Sequence, residues 1–144
     1  MIQIVRVTDD LPEGFGPLQK MASDEGVRNM ALLADQWASG EERFADPGAL
    51  FAAFIDGDLA GVGGVTVQTG LDEPAMRMRR LYVAPDFRRA GVGQALAGAM
   101  IQQGLQAAHL LVANARASAT APVFWYAMDF ERVDGEDFTH RMRG

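Results

Sequence analysis

The segment that decides the fold is residues 81–96, which read LYVAPDFRRAGVGQAL. It completes a strand-like run that begins at Met76 and ends at Val83, and it leads into a helical run from Gly91 to about Gly104. The first backbone N–H groups of a helix have no partners inside the helix, and the helix dipole adds partial positive charge at that end. A strand, a glycine-containing loop and a helix in this order therefore predict an anion site at the helix N-terminus.

The residues of this loop suit a phosphate group. Gly91 can adopt the backbone angles that turn the free N–H groups towards one point, and Gly93, which has no Cβ, lets a bulky phosphate approach the first turn. Arg88 and Arg89 add positive charge and fork-shaped donors. The pattern is not a P-loop, because no Gly-Lys-Ser/Thr follows, and it is not the dinucleotide fingerprint, because Leu96 stands where a third glycine is needed. A helix entry with merely solvated arginines is the alternative explanation.

Length and composition narrow the class of protein. The 144 residues fit one domain, predicted to span residues 1–144, and 49% of them are apolar, which is enough for a sizeable core. The chain has no cysteine, which excludes disulfides, zinc–thiolate sites and thiol nucleophiles, and we predict no metal site. Residues 1–7 alternate like a strand rather than a signal peptide, and no apolar run approaches the roughly 18–20 residues that cross a bilayer. We therefore expect a soluble cytoplasmic protein without a membrane partner.

The charge of the chain is unevenly distributed. Its net charge of −6 argues against a general nucleic-acid binder, because affinity for a phosphate backbone requires clustered cations. Acidic residues crowd the first third of the chain. Five of the 13 basic residues nevertheless fall in one short stretch, namely Arg77, Arg79, Arg80, Arg88 and Arg89. This asymmetry predicts one local anion site on an otherwise acidic protein.

The remaining elements follow from hydrophobic periodicity and turn signals. Strands are predicted at 2–7, 50–55, 59–67, 76–83 and 109–113 and near Phe130 and Phe138, and helices at 17–22, 25–38, 91–104 and 119–128. The Asp-Gly-Asp at 56–58 predicts a hairpin turn, and the glycines at 61, 63 and 64 predict a bulge or a close backbone approach. The order of the elements predicts one mixed α/β layer structure.

Two blocks of this sequence resemble the Gcn5-related N-acetyltransferase (GNAT) family. The first is residues 81–96, where the family has a strand ending in a Leu-x-Val-x-Pro-like run, followed by Arg/Gln-x-x-Gly-x-Gly/Ala at the start of a helix. The second is the strand and asparagine at 110–114 and the run PVFWYAMDF at 122–130, where the family has Phe-Tyr three residues before Gly-Phe. The tail at 135–142 resembles the closing strands of many members, so the resemblance covers about residues 76–142.

The resemblance implies a fold and a cofactor. The fold would be the single-domain, GNAT-like α/β fold of acyl-CoA N-acyltransferases, a splayed, mixed and mostly antiparallel sheet of six or seven strands flanked by about four helices. Acetyl-CoA would lie in the gap, with its pantetheine arm along the backbone of 81–83 and its pyrophosphate on the N–H groups of 88–94. Asn114 would lie near the pantetheine, or else only satisfy its own backbone at a strand end. The implied cofactor-binding residues are Leu81, Tyr82, Val83, Arg88, Arg89, Ala90, Gly91, Val92, Gly93, Gln94 and Asn114.

The positions that move protons in many relatives are altered here. The family's Glu base, four residues before the Leu of the first block, corresponds to Arg77, and an arginine is not a base at neutral pH. The family's Tyr acid corresponds to Trp125, which has no readily lost proton. The adjacent Tyr126 is the candidate catalytic acid if the helix is rotated relative to the family's, since one step along a helix turns a side chain by about 100 degrees. Core packing is the alternative role for both aromatic residues.

Three functions remain open. In the first, the chain transfers acetyl groups from acetyl-CoA to the amine of a small molecule or peptide, with water or substrate groups moving the protons. In the second, Arg77 and Arg79 are substrate-binding residues for an acidic or amide-bearing acceptor, and a carboxylate from the first helices is the base. In the third, the domain binds CoA without transfer, as a sensor or partner module. A nucleotide-binding domain is a more distant alternative, and a homodimer is compatible with each of these functions.

Overall fold

The described residues form one seven-stranded sheet with five antiparallel strand pairings and one parallel pairing. The computed structural model describes residues 1–116 and 118–144. The strand order is β1-β2-β3-β4-β5-β7-β6, and β4 and β5 are the parallel pair. The strands are β1 (Ile2–Val7), β2 (Ala49–Ile55), β3 (Asp58–Gln68), β4 (Ala75–Val83), β5 (Leu110–Ala113), β6 (Glu131–Arg132) and β7 (His140–Arg143).

Helices pack on both faces of this sheet. They are α1 (Phe15–Asp24), α2 (Asn29–Ser39), α3 (Val92–Ala107) and α4 (Ala121–Ala127). Met76 and Met78 of β4 join the core under α3, whereas Val62 of β3 and Tyr82 of β4 join the core under α1 and α2. In the part of the chain that the structure describes, no helix is both long and apolar enough to span a membrane.

A β-bulge interrupts β4 near its centre. Val62 pairs with Tyr82 and Gly64 pairs with Arg79, so Arg80 and Leu81 together face Gly63. Arg80 lies at a φ angle of 58°, in the left-handed region that arginine rarely adopts. The extra residue bends the strand and resets the alternation of its side chains, as bulges do. The sequence prediction of a bulge or close approach at the β3 glycines is confirmed by this register shift.

The sheet opens between β4 and β5. Their pairing covers three residue pairs and ends at Arg77 and Val112. Beyond that point β4 continues to Val83, whereas β5 ends at Ala113. One edge of β4 is therefore not covered by a neighbouring strand from Met78 to Val83. This separation confirms the predicted splayed sheet.

The helix and strand boundaries required some corrections. The helix predicted at 25–38 begins instead at Asn29, because residues 25–28 close the end of α1, where the N–H of Val27 donates to Ala22 O at 2.8 Å. The first helix is longer than predicted and runs from Phe15 to Asp24. The strand predicted near Phe138 begins at His140, since Phe138 packs in a small core beside β5.

Candidate functional site

A cleft of about 1080 Å³ lies where β4 and β5 separate. Its walls are the free edge of β4, the loop and first turn of α3 at residues 88–94, and a side formed by Asn114, Arg116 and α4. The turn between α1 and α2 closes another side through Glu25 and Asn29. The cleft therefore brings together the two sequence blocks that carried the family resemblance.

The loop before α3 presents free backbone donors to this cleft. Gly91 precedes the helix with a φ angle of 84°, and Arg89 also has a positive φ of 70°. The N–H of Ala95 makes the first helical bond, to Gly91 O at 3.0 Å. Within residues 1–116 and 118–144, none of the N–H groups of residues 89–94 donates a hydrogen bond to a protein acceptor, and α3 has no side-chain cap. Six consecutive free donors at a helix N-terminus form a cradle suited to a phosphate or pyrophosphate.

Gly93 is part of the α3 wall of the cleft and lies close to α4 and to the end of β4. A Cβ atom at this position would lie 3.2 Å from Cε1 of Phe124 and 3.8 Å from Cγ2 of Val83. The first turn of α3 therefore approaches α4 and the end of β4 closely. Any larger side chain here would occupy space beside the free N–H groups.

Ten of the eleven predicted cofactor-binding residues line the cleft. Ala90 is the exception, although its N–H belongs to the run of free donors. Asn114 lines the cleft and also accepts the N–H of Arg116 on its Oδ1 at 3.2 Å. It therefore makes the local backbone contact considered above while its side chain borders the cleft. The individual binding roles of these residues remain predictions.

The free edge of β4 is partly occupied by side chains of the chain itself. The carbonyl of Leu81 accepts a hydrogen bond from Nδ2 of Asn29 at 3.1 Å, and the carbonyl of Val83 accepts one from Nε of Arg88 at 3.2 Å. The N–H of the next residue, Ala84, donates a hydrogen bond to β3. Because the N–H and the C=O of one peptide group point in opposite directions, the carbonyl of Val83 points towards the cleft. A ligand that pairs with this edge as an added strand would replace these two side-chain donors.

Glu25, in the turn between α1 and α2, contacts the loop at residues 88–94, called the anion loop. Its carboxylate accepts hydrogen bonds from Arg88, at 2.8 and 2.6 Å, and from the Tyr82 hydroxyl. The hydrogen bonds from Arg88 and then Tyr82 lower the pKa of Glu25. Burial, followed by the hydrogen bond to Glu25, raises the pKa of Tyr82 to about 12. Near neutral pH, Glu25 is thus ionised and Tyr82 is protonated.

Arginine side chains line the half of the cleft that lies away from the loop at residues 88–94. Arg77 donates to Oε1 of Gln68 at 3.1 Å, and Arg80 donates to Oε1 of Gln36 at 3.0 Å. Arg79, one of the two predicted substrate-binding residues, lines the cleft beside them. Burial and then the like charge of Arg79 lower the pKa of both Arg77 and Arg80. This half of the cleft is strongly cationic.

The structure separates the two aromatic residues considered for proton transfer. Trp125 lines the cleft, is 6% exposed, and makes edge-to-face contacts with Phe124 and Phe130 at centroid distances of 5.0 Å. Tyr126 is 75% exposed and does not belong to the cleft wall. The structure therefore does not bring the Tyr126 hydroxyl to the other candidate residues, and its catalytic assignment remains a prediction.

Several residues of the site, among them Glu25, Asn29 and Arg116, were not singled out in the sequence. Glu25 and Asn29 lie in the acidic first third, which carries no family motif. The sequence suggested a carboxylate from the first helices but gave no signal for which one. Glu25 reaches the cleft because α1 ends at Asp24 and α2 begins only at Asn29.

The family model and two solved structures that match this chain describe acetyltransferases. The model of the acetyltransferase (GNAT) family matches residues 15–127. An Exiguobacterium protein assigned as an acetyltransferase superposes with a TM-score of 0.88 at 26% identity, covering 99% of this chain and 93% of its own. A GNAT-family protein from Desulfovibrio desulfuricans gives 0.73 at 20% identity, with 99% of each chain covered.

A third solved structure contains the ligand that the resemblance implied. It is a GNAT-family acetyltransferase from Elizabethkingia anophelis with acetyl-CoA bound, with a TM-score of 0.65 at 17% identity. The alignment covers 99% of this chain and 98% of that one. Among curated proteins, no sequence matches the chain significantly.

Proposed function

The chain belongs to the GNAT family of acetyltransferases, and from this premise we propose that it transfers the acetyl group of acetyl-CoA to the amine of a small molecule or peptide. One observation carries the proposal. In the described part of the chain, the six consecutive N–H groups of residues 89–94 make no hydrogen bond, and five of these six residues line a cleft that extends along the uncovered edge of β4. This arrangement suits a ligand with a diphosphate at one end and an extended arm.

The proposed binding mode assigns the parts of acetyl-CoA to the parts of the cleft. Residues 88–94 would hold the pyrophosphate through backbone donors and arginine charge. The backbone of 81–83 would pair with the pantetheine arm, and Asn114 would face it from the other side. Bound acetyl-CoA supplies an activated thioester whose carbonyl carbon accepts a nucleophile.

The reaction requires an unprotonated amine. Its nitrogen lone pair forms the new C–N bond, and the C–S bond breaks with its electron pair left on sulfur. The nitrogen loses one proton and the thiolate gains one, so the products are an amide and CoA thiol. Holding the two reactants together can supply about 7 kcal/mol or more of the barrier. Because a thiol has a pKa of about 8.5, the thiolate is a good leaving group even without a strong acid.

The cationic wall supports transfer in which water takes the proton. Positive charge beside an amine disfavours its ammonium form and lowers its pKa. Arg77 and Arg79 would thereby increase the fraction of free amine at neutral pH. In the described part of the chain, Glu25 is the one carboxylate on the cleft wall, and its bonds to Arg88 and Tyr82 make it a weak base.

A second candidate is a CoA-binding module without turnover. The observation that favours it is the presence of Arg77 and Trp125, both on the cleft wall, at the two positions where many relatives have a base and an acid. In that case the domain would act as a sensor or partner module. Acetyl-CoA would still bind in the same orientation.

Two measurements separate these candidates. Thermal melts with millimolar acetyl-CoA test binding, and a melt that does not shift would overturn both. Release of free thiol from acetyl-CoA against a panel of amines tests transfer. Thiol release that depends on both protein and amine supports the enzyme, whereas tight CoA binding without release from any amine supports the module.

A further inference from the structure

Four arginines surround the part of the cleft that lies away from the anion loop. They are Arg77, Arg79, Arg80 and Arg116. The first three are half-buried on β4, and the fourth follows β5 and is exposed. Three residues, which include the bulge, lie between Arg79 and Val83 at the end of β4.

In the part of the chain that the structure describes, no acidic group forms an ion pair with these arginines. Five ion pairs occur among residues 1–116 and 118–144, and none of them includes a member of this cluster. The hydrogen-bond acceptors of Arg77 and Arg80 are neutral glutamine side chains, and Nε of Arg80 is buried without a partner in the described residues. The nearby carboxylate of Glu25 is already bound to Arg88 and Tyr82. Asp137 and Glu42 act on Arg77 and Arg80 only through their charge, without an ion pair, so no carboxylate of the described residues neutralises the cluster by direct contact.

The positive charges of these arginines repel each other, and a bound anion would offset this repulsion. Burial and the charge of Arg79 lower the pKa of Arg77; Asp137 opposes this shift, and Arg116 adds a smaller lowering effect from the far wall. Like charges in a partly buried cleft repel each other, and the guanidinium forks match the geometry of a carboxylate or phosphate. The chain as a whole is acidic, with a net charge of −6, so this patch is a local exception.

The phosphates of CoA do not account for this cluster. CoA carries its phosphates at the nucleotide end, whereas the thioester is at the other end of the pantetheine arm. If the pyrophosphate occupies residues 88–94, the phosphates lie beside that loop and the thioester points along β4 towards the bulge. The four arginines then border the space into which the acceptor enters.

We propose that this cluster binds an anionic group of the acceptor, so that the acceptor is a small amine with a carboxylate or phosphate close to its amino group. The inference rests on the proposed function, because it takes the far half of the cleft as the acceptor site. It gives Arg77 a role at the position where many relatives have a base. The arginines hold the acceptor by its anion and at the same time disfavour the protonated form of its amine.

Paired acceptors test this inference by kinetics. β-Alanine is compared with its amide, and O-phosphoethanolamine with ethanolamine, in the thiol-release assay. A charge-assisted interaction should make kcat/KM about 10- to 100-fold higher for the anionic member of a pair. A preference within the first pair identifies a carboxylate acceptor, and one within the second identifies a phosphate acceptor. Equal kcat/KM values within both pairs would overturn the inference.

The variant Arg79→Gln tests whether a member of this cluster binds the anionic group of the acceptor. Arg79 has no hydrogen-bond partner among the described residues, so its loss should leave the fold intact. We expect kcat/KM for the anionic acceptor to fall about tenfold, and that for its neutral counterpart to fall by a smaller factor, because the neutral acceptor loses only the effect of Arg79 on the amine. Lys20→Gln removes one positive charge from an exposed i,i+4 pair on α1 and serves as the matched control. An equal loss with charged and neutral acceptors would assign Arg79 a general role and contradict the inference.

A binding measurement remains informative if no amine is acetylated. The guanidinium Nε–Hε resonances of the protein are followed by NMR during titration with inorganic phosphate and with acetate, in the presence of saturating CoA. Signals of Arg77, Arg79, Arg80 and Arg116 should move, and that of Arg132 should not. If they move but no amine reacts, the proposed transfer fails and the anion site stands. If they do not move while amines react, transfer stands and the anion site is wrong.

Discussion

The guanidinium of Arg88 holds both carboxylate oxygens of Glu25, with Nη1 2.8 Å from Oε2 and Nη2 2.6 Å from Oε1. The two residues are 63 positions apart in sequence. Nε of the same guanidinium donates to the carbonyl of Val83, and the group lies 5.6 Å from the centre of the Tyr82 ring. Arg88 therefore links three parts of the cleft before any ligand arrives.

A double-mutant cycle with Glu25→Gln and Arg88→Gln should detect this link. Because both side chains reach solvent, we expect a coupling free energy of at most about 1 kcal/mol in the unfolding of the free protein. With saturating CoA the coupling should fall, because Arg88 would turn from Glu25 to the pyrophosphate. Chemical denaturation with and without CoA provides the measurement.

Asp24→Asn is the control for this cycle, since Asp24 pairs with Lys20 on the surface of α1 rather than with the cleft. Combined with Arg88→Gln, it should give additive effects. A Glu25–Arg88 coupling that is the same with and without CoA would show that Arg88 stays on Glu25 when the ligand binds.

The second prediction concerns Gly93→Val. A wild-type protein at a 100-fold excess of CoA over the dissociation constant should gain about 2.7 kcal/mol of stability. The valine would fill the space beside the free N–H groups and remove most of this gain. Its Cβ would lie 3.2 Å from the edge of the Phe124 ring, which needs to shift by only a few tenths of an ångström, so the fold should persist.

Gly98→Val is the matched control on the same helix, because a Cβ atom at Gly98 meets nothing within 4 Å. It should leave the CoA-dependent shift of the melting temperature unchanged. A normal shift in Gly93→Val would be incompatible with the pyrophosphate position proposed for the loop.

The parts of this site that could be predicted from the sequence are those whose conformation depends on residues close together in the chain. The strand, turn and helix around Gly91 and Gly93 lie within 20 residues, so their backbone conformation follows from local signals. Glu25 reaches the cleft through contacts with residues 57 and 63 positions away, which no local pattern encodes. The bulge was predicted from the glycines of β3, but the strained residue, Arg80, is on the opposite strand. Its position depends on the pairing register.

The third prediction concerns the proposed acid, Tyr126. Its side chain is 75% exposed outside the cleft wall, so Tyr126→Phe should change kcat for thiol release by less than about twofold. A general acid contributes about 10²- to 10⁴-fold. A loss of that size would restore the catalytic assignment and would require α4 to rotate when acetyl-CoA binds. Val123→Ala, at another exposed position of α4, controls for changes in the helix itself.

The fourth prediction concerns the pH dependence of stability and depends on His140. This side chain on β7 is 4% exposed, and its Nδ1 lies 2.8 Å from the Thr139 hydroxyl. Burial, with a smaller effect of Arg132, lowers the pKa of His140 below its ordinary value of 6.5. The unfolded chain therefore takes up a proton at a higher pH than the folded protein. The stability that this difference contributes is complete above pH 6.5 and decreases as the pH falls below it.

Denaturant unfolding at several values between about pH 7 and 5 would measure this effect. His140→Asn preserves a polar group near the position of Nδ1 but does not titrate, so its unfolding free energy should vary less over this range. His109→Asn replaces the other histidine, whose side chain is exposed, and serves as the matched control. Glu25 does not contribute to this change, because its hydrogen bonds to Arg88 and Tyr82 lower its pKa below 4.5. The stability that Glu25 contributes is therefore lost only in more acidic solution. If His140→Asn and wild type lose stability in parallel, the acid sensitivity in this range originates elsewhere in the fold.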